Sequence, residues 1–329
     1  MPELPEVEVV RAGLAPAVTG ALVAGVEVLD PRSLKRHDPA VGDFERSLTG
    51  ARLAGAVRRG KFLWLPIVPV EASVDTGGRS AAAAPLALVA HLGMSGQVLL
   101  RTPDHPGGDA HARIRIHLEH PEHGELRVDF VDQRIFGSMA IDRMLPTPDG
   151  RPAGFSADVS GDWANAIPSQ VAHIARDPLD PAFDERAFLT AFAKRHSAVK
   201  RVLLDQTLVS GIGNIYADES LWAVRLHGEQ PASSIGRRRA VELLEAVRGV
   251  LQKALAEGGT SFDAQYVNVN GASGYFAHSL NAYGREGKAC PRCGTLMVRE
   301  PFMNRSSHRC PRCQRVRLRR AAEARPSGR

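Results

Sequence analysis

Cysteine is scarce in this 329-residue chain: there are four, all between residues 290 and 313, so a disulfide framework across the protein is excluded. Long apolar runs are missing too. No stretch approaches the roughly 20 residues of a membrane span. The N-terminus lacks the basic and apolar regions of a secretory signal, which sets cytoplasmic location as the expectation. An acidic surplus is also lacking: Lys plus Arg is 42 and Asp plus Glu is 36, a net charge of +6. That excess suits a polyanionic partner without proving one. From Lys288 onward bases dominate, and "RVRLRRAAEARPSGR" reads as a basic, disordered tail. Hydrophobic content of 43% supports real cores, and the length allows two domains with a small third module.

The chain opens "MPELPEVEVV". Leu4, Val7, Val10 and Leu14 form one apolar stripe, predicting a helix from Leu4 to Ala17. Pro5 is tolerated in a first turn, and Glu6 and Glu8 suit the positive end of the helix dipole. "RIRIHLE" and "LRVDFVD" alternate as strands do, and "GKFLWLPIV" and "LALVAHLGM" are β-type apolar runs. Between the last two, residues 69–85 include a low-complexity insertion, "EASVDTGGRSAAAAP". "IARDPLDPAFD" reads as a linker, and beyond it the period becomes helical: Phe188 and Phe192, then Val199, Val202, Leu203 and Gln206. Val241, Leu244, Val247, Leu251 and Leu255 mark a long helix ended by Gly258-Gly259. A helical domain therefore follows an antiparallel β domain.

Two C-x-x-C pairs sixteen residues apart, Cys290/Cys293 and Cys310/Cys313, match the spacing of a tetrahedral zinc hairpin. Four sulfurs leave no open position, so one structural Zn²⁺ is expected; a pair of redox dithiols is the alternative. Arg299, Arg305 and Arg309 on the hairpin favour phosphate contact. Ser210-Gly211-Ile212-Gly213-Asn214 joins two helices, with Asn214 placed to cap the second and its free N–H groups suited to a phosphate.

"PELPEVE", "RRGKFL", "HLGMSGQV", "DQRIFG", "DQTLVSGIGNIYADESL", "GASGYFAHSLNAYGREG" and the four-cysteine hairpin occur in this order from residue 2 to residue 313. Together they resemble the formamidopyrimidine-DNA glycosylases, a family with a helix–two-turn–helix motif. The resemblance implies an α+β fold of two domains. Residues 1–172 would form an N-terminal antiparallel β-sandwich with a flanking helix, 173–183 a linker, and 184–284 the helix–two-turn–helix domain. Residues 285–315 would form the zinc finger and 316–329 the disordered tail. It also implies a monomer acting on double-stranded DNA that carries oxidised bases or abasic sites.

The same resemblance assigns roles. Removal of Met1 would expose Pro2, whose secondary amine attacks C1′ of the damaged nucleotide; Glu3 would shuttle protons. Glu6 would hold the amine and the helix start. Lys61 matches the lysine credited with phosphate binding and proton donation in β-elimination, and Arg305 the hairpin arginine that assists δ-elimination. Met94, Arg134 and Phe136 would fill the gap left by the everted base; read as plain sequence, Phe136 would be core. Asn214 and Arg195 would contact the DNA backbone, and "DAQYVNVNGASGYF" would close over the base.

This chain departs from the family pattern in three places. "DQRIFG" stands where "DPRRFG" is common, so Gln133 replaces proline and Ile135 the second arginine. Asp109 aligns with a basic residue found in some members, with His111 as a substitute contact. The leading expectation is a bifunctional glycosylase and abasic-site lyase for 8-oxoguanine and formamidopyrimidines. The alternatives are an oxidised-pyrimidine glycosylase and a non-catalytic damaged-DNA-binding relative.

Overall fold

The computed structural model describes residues 2–68, 85–106, 109–156, 163–260, 269 and 275–316. Met1 and its removal, the body of the insertion (69–84), most of the closing loop and the tail from 317 lie outside the described residues. The chain divides into two compact units. One comprises Met1–Phe183, Val209–Gly211 and Leu251–Ser279; the other comprises Asp184–Leu208, Ile212–Val250 and Leu280–Arg329.

In the first unit, α1 (Leu4–Val18) buries the predicted stripe: Leu4, Val7, Val10 and Leu14 are at most 1% exposed. Each such side chain contributes about 1.5–3 kcal/mol by leaving water. A short helix, α2 (Phe44–Leu48), lies between the first two strands, which are β1 (Leu22–Val28) and β2 (Arg52–Leu53); then come β3 (Val57–Arg59), β4 (Phe62–Val68), β5 (Leu86–His91), β6 (Gly96–Arg101), β7 (Ala112–His120), β8 (Gly124–Asp132), β9 (Ser138–Pro146) and β10 (Ala166–Pro168). They pair antiparallel in the order β10-β9-β5-β4-β2-β1-β7-β8-β6, with β3 added beside β4. One core joins Leu63, Leu88 and Met139 to Val98, Ile116 and Val128, with Leu14 and Val18 of α1 among them. The two ends of the strand path thus face each other across shared apolar side chains, as in a sandwich. A second cluster gathers around Trp64, Val89, Met144 and Ile167.

On β7 the alternation holds, with Ile114, Ile116 and Leu118 buried. On β8 it fails: Arg127 and Asp129, on the polar side of the pattern, are also buried. They satisfy each other through paired bonds, Nε–Oδ1 at 2.8 Å and Nη2–Oδ2 at 3.0 Å. Buried charge is tolerated where its hydrogen bonds are met.

The second unit contains α3 (Glu185–Ala193), α4 (Val199–Leu203), α5 (Asn214–Ala223), the first part of α6 (Arg237–Ala256) and a hairpin of β11 (Val298–Phe302) and β12 (Arg305–Arg309). Asp184 caps α3 by accepting from Ala187 N–H at 2.8 Å. Phe188 and Phe192 are buried as their spacing predicts. Gln206 falls outside the short α4; its amide instead donates to the carbonyls of Leu204 and Ile212, at 3.1 and 2.9 Å, and braces the turn. Past α6, Gly258 and Gly259 have φ of +75° and +81° and end it where the sequence puts them.

Candidate active site and nucleic-acid contacts

Pro2 and Glu3 stand at the tip of α1, where both are buried. Glu3 and Glu6 form a reciprocal capping box, in which Glu3 N–H donates to Glu6 Oε2 at 2.8 Å. The other Glu6 oxygen accepts from Thr260, at 2.8 Å from the backbone N–H and 2.9 Å from the hydroxyl. Leu4 N–H, which no helical carbonyl can satisfy, donates to Gly211 O at 3.0 Å. Gly211 has φ of +86°, and a Cβ there would lie 2.6 Å from Leu4 Cδ1, so only glycine fits against the helix tip. Gly211 thus anchors the segment that bears Pro2.

Lys61 occupies the turn between β3 and β4, and the residues before it have a role that the sequence did not suggest. Arg58 is 2% exposed and donates to Glu8 Oε2 at 2.8 Å, Asp177 Oδ2 at 2.9 Å and Gly60 O at 3.2 Å. Arg11 completes the cluster, with Nε 2.9 Å from Glu8 Oε1. Burial disfavours the Arg58 charge, but Asp177 and Glu8 outweigh it and hold its pKa above the usual guanidinium range. One arginine therefore fixes α1, the turn bearing Lys61, and the segment around Asp177 to one another. The signal was Glu8, an acid beside the apolar stripe of α1.

Met94, Arg134 and Phe136 lie on two loops drawn together by one buried acid, Asp132. Its Oδ1 accepts from Ser95 Oγ at 2.5 Å and from Arg134 N–H at 3.2 Å; its Oδ2 accepts from Gly137 N–H at 2.7 Å. A Cβ on Gly93 would lie 2.5 Å from the backbone of Phe136 and Gly137, so the loops are nearly in contact. Met94 is 48% and Phe136 52% exposed. The plain-sequence reading of Phe136 as core is therefore wrong: its neighbour Gly137 packs inward and Phe136 points out. His111 is exposed, and its backbone carbonyl accepts from Asp132 N–H at 2.9 Å. Asp109 caps that turn, its carboxylate accepting His111 N–H at 2.9 Å.

His91, just before these loops, accepts from Gly93 N–H through Nδ1 at 3.2 Å. Burial, reinforced by the charges of Arg36, Lys61 and Lys35, lowers its pKa to about 4. Its ring is neutral at pH 7, and the tautomer left by that bond carries the proton on Nε2.

In the second unit, Asn214 is the first residue of α5, and the cap is Gly213. The expectation that Asn214 caps α5 is corrected: its Nδ2 donates to Ser306 O at 2.9 Å, next to Arg305. Its Oδ1 is buried and has no partner. Lys200 and Asp218, fully buried, pair at 2.6 Å. Asp218 accepts from Ser307 Oγ at 2.9 Å and His308 N–H at 2.8 Å. The hairpin strand that starts at Arg305 is thereby clamped to α4 and α5. Glu219 accepts from the N–H groups of Asn281, Ala282 and Tyr283. Burial nevertheless lifts its carboxyl above the ordinary range. The acid pair Asp218-Glu219 inside an otherwise buried helix was the legible signal for both. Arg195 is half-exposed and pairs with Asp205 at 3.4 Å.

The Sγ atoms of Cys290, Cys293, Cys310 and Cys313 lie within 4.8 Å of one another, and this cluster could hold a metal ion. Cys293 is 3.5 Å from both Cys310 and Cys313. A tetrahedron of Zn–S bonds of about 2.3 Å has edges of about 3.8 Å, which the set fits. Burial pushes the Cys310 thiol up to about 12, while hydrogen bonding to Thr295 draws Cys293 down to about 6. Trp222 Nε1 donates to Cys290 Sγ at 3.5 Å, and Arg292 stacks 4.1 Å from the Trp222 ring.

Comparison with known proteins adds to this geometry. Residues 1–139 match the formamidopyrimidine-DNA glycosylase N-terminal domain, and residues 174–265 match the H2TH domain of the same family. A formamidopyrimidine-DNA glycosylase of Leifsonia xyli is 62% identical over 316 residues, covering 96% of this chain and 100% of that one. The Nocardioides protein of the same name is 52% identical, covering 99% and 98%. Among solved structures, the Lactococcus lactis Fpg bound to DNA with an abasic site superposes with a TM-score of 0.72 at 27% identity, covering 95% and 99%. MutM from Thermus thermophilus gives 0.70 at 33% identity, covering 95% and 98%. The chain belongs to the formamidopyrimidine-DNA glycosylase family.

Proposed function

We propose that this chain excises oxidised purines, 8-oxoguanine and formamidopyrimidines, from duplex DNA in base excision repair and then cleaves the strand as an abasic-site lyase. Relatives that bear the family name, and structures of relatives bound to abasic-site or 8-oxoguanine DNA, support the reading. The observation that carries it is the held tip of α1, where the N–H groups after Pro2 are taken up by Glu6 and Gly211.

Once Met1 is removed, the Pro2 nitrogen is a secondary amine at a helix N-terminus, where the dipole disfavours its protonated form. It bonds to C1′ as the C1′–N9 bond breaks, and the base leaves with that electron pair and gains a proton. Glu3 protonates O4′ as the sugar ring opens, leaving an iminium. Loss of the C2′ proton then expels the 3′ phosphate, with Lys61 as proton donor, and a second elimination assisted by Arg305 expels the 5′ phosphate. Met94, Arg134 and Phe136 occupy the space of the everted nucleotide. His111, Arg195 and Asn214 contact the backbone. One structural Zn²⁺ on the four cysteines shapes the hairpin that presents Arg305 and takes no part in the chemistry. The enzyme works as a cytoplasmic monomer; no helix among the described residues is long and apolar enough to cross a membrane.

Borohydride reduction during turnover tests the mechanism. A covalent adduct with lesion-bearing duplex is expected, and its loss in Pro2→Gly or in protein that retains Met1. Tight binding with no adduct, despite a processed terminus, refutes catalysis. Stronger cleavage at thymine glycol than at 8-oxoguanine opposite cytosine refutes the purine assignment.

A further inference from the structure

The loop bearing Arg134 and Phe136 contains a strained residue. Ile135 has φ of +56°, in the left-handed region, although its side chain is β-branched. Such a conformation costs about 1–3 kcal/mol and persists only where the surroundings impose it. Ile135 lies between the two exposed wedge residues, so its backbone sets the direction in which both leave the chain. Asp132 fixes the loop at Arg134 N–H and Gly137 N–H. The middle is held from elsewhere: Lys35 Nζ donates to Ile135 O at 2.7 Å, a hundred residues away in sequence.

Lys35 is itself well founded. It follows a short turn, Pro31–Leu34, capped by Asp30, which accepts Arg32 N–H at 3.1 Å. Arg113 ties that turn to the wedge loop, 3.4 Å from Asp30 Oδ2 and 2.8 Å from Asp132 O.

We infer that Lys35 is a positioning residue of the wedge: its ammonium holds Ile135 left-handed and so aims Arg134 and Phe136 at the gap left by the everted base. The inference rests on the proposed function. A lysine that braces the wedge affects substrates whose base must be everted more than those that have no base to evert.

The test uses the full-length, zinc-loaded protein with Lys35→Ala, Lys35→Arg and Ile135→Gly, and the Lys35→Ala/Ile135→Gly pair. Single-turnover rates are measured on duplex with 8-oxoguanine opposite cytosine and on the same duplex with a preformed abasic site. Lys35→Ala is expected to slow base excision roughly fivefold to tenfold, the scale of one ordinary hydrogen bond, and abasic-site cleavage by much less. Lys35→Arg restores the rate. Ile135→Gly restores most of it in the Lys35→Ala background, because glycine adopts this conformation without a brace. Equal slowing on both substrates overturns the inference, as does a double variant no faster than Lys35→Ala. So does a salt dependence shallower by about one unit with the substrate ratio unchanged, the mark of a plain phosphate contact. Wild-type trapping is scored first: a chain that never traps fails the proposed function, whereas one that traps normally and shows no Lys35 effect fails this inference alone.

Discussion

Arg58 illustrates how much one buried charge can organise. Its guanidinium bridges Glu8 and Asp177, and it hydrogen-bonds the carbonyl beside Lys61. Removing it leaves Asp177 buried without its ion-pair partner and Glu8 with Arg11 alone, a change that costs about 3–5 kcal/mol. Urea unfolding of Arg58→Ala should show a midpoint lowered accordingly; a loss below about 1 kcal/mol, the scale of an exposed pair, would mean that the cluster is solvated. His91 yields a prediction in pH. Its pKa is about 4 in the fold, against an ordinary value of 6.5. Between those values the unfolded chain binds a proton that the native chain does not, so this residue makes stability fall as pH drops from about 6.5 to about 4. His91→Gln should lose less stability than the wild type between pH 7 and pH 5 in matched denaturant titrations. Equal losses would place the ring in water.

The four-cysteine hairpin is the element on which the DNA reading depends most. β11 and β12 pair over only five residues, too few to stand alone. Three supports hold them: the cysteine cluster at one end, the Lys200–Asp218 clamp along β12, and the bond from Asn214 to Ser306 O. Chelation, or Cys293→Ser, should release Arg305 from its frame and weaken binding of abasic-site duplex by roughly tenfold or more, given that structural zinc supplies folding energy outright. Because Trp222 donates to Cys290, its fluorescence should change in step with metal loss. Binding that survives while this signal changes would show that the other two supports suffice. α5 teaches a related lesson. Its sequence suggests an asparagine cap, yet Gly213 occupies that position and Asn214 serves the hairpin. Local preference yields where a distant carbonyl offers a better partner.

At the scale of the whole molecule, the cations assigned to DNA fall in both compact units: Lys61 and Arg134 in one, Arg195 and Arg305 in the other. Three of them, Lys61, Arg195 and Arg305, are proposed to meet phosphates, which gives an expected slope of roughly −2.7 in log K against log salt on duplex DNA. Arg305→Gln should make it shallower by about one unit, read by fluorescence anisotropy across a salt series. An unchanged slope would remove Arg305 from the phosphate contacts.

Much of this was legible in the chain. The stripe of α1, the alternation of β7, the glycine stop after α6 and the two C-x-x-C pairs are local patterns, and local patterns survive in one dimension. What the tertiary structure alone decided was which polar groups are buried and what they hold. Arg58 reaches Asp177 across 119 residues, Glu6 reaches Thr260 across 254, and Lys35 reaches Ile135 across 100. No periodicity records such pairs, because a charge is tolerated out of water only where the fold delivers its partner. The sequence by itself determined the two kinds of domain, the paired cysteines of the hairpin and the family to which the chain belongs. The fold decided how Pro2, the loops of Met94, Arg134 and Phe136, and the hairpin of Arg305 are each held in place.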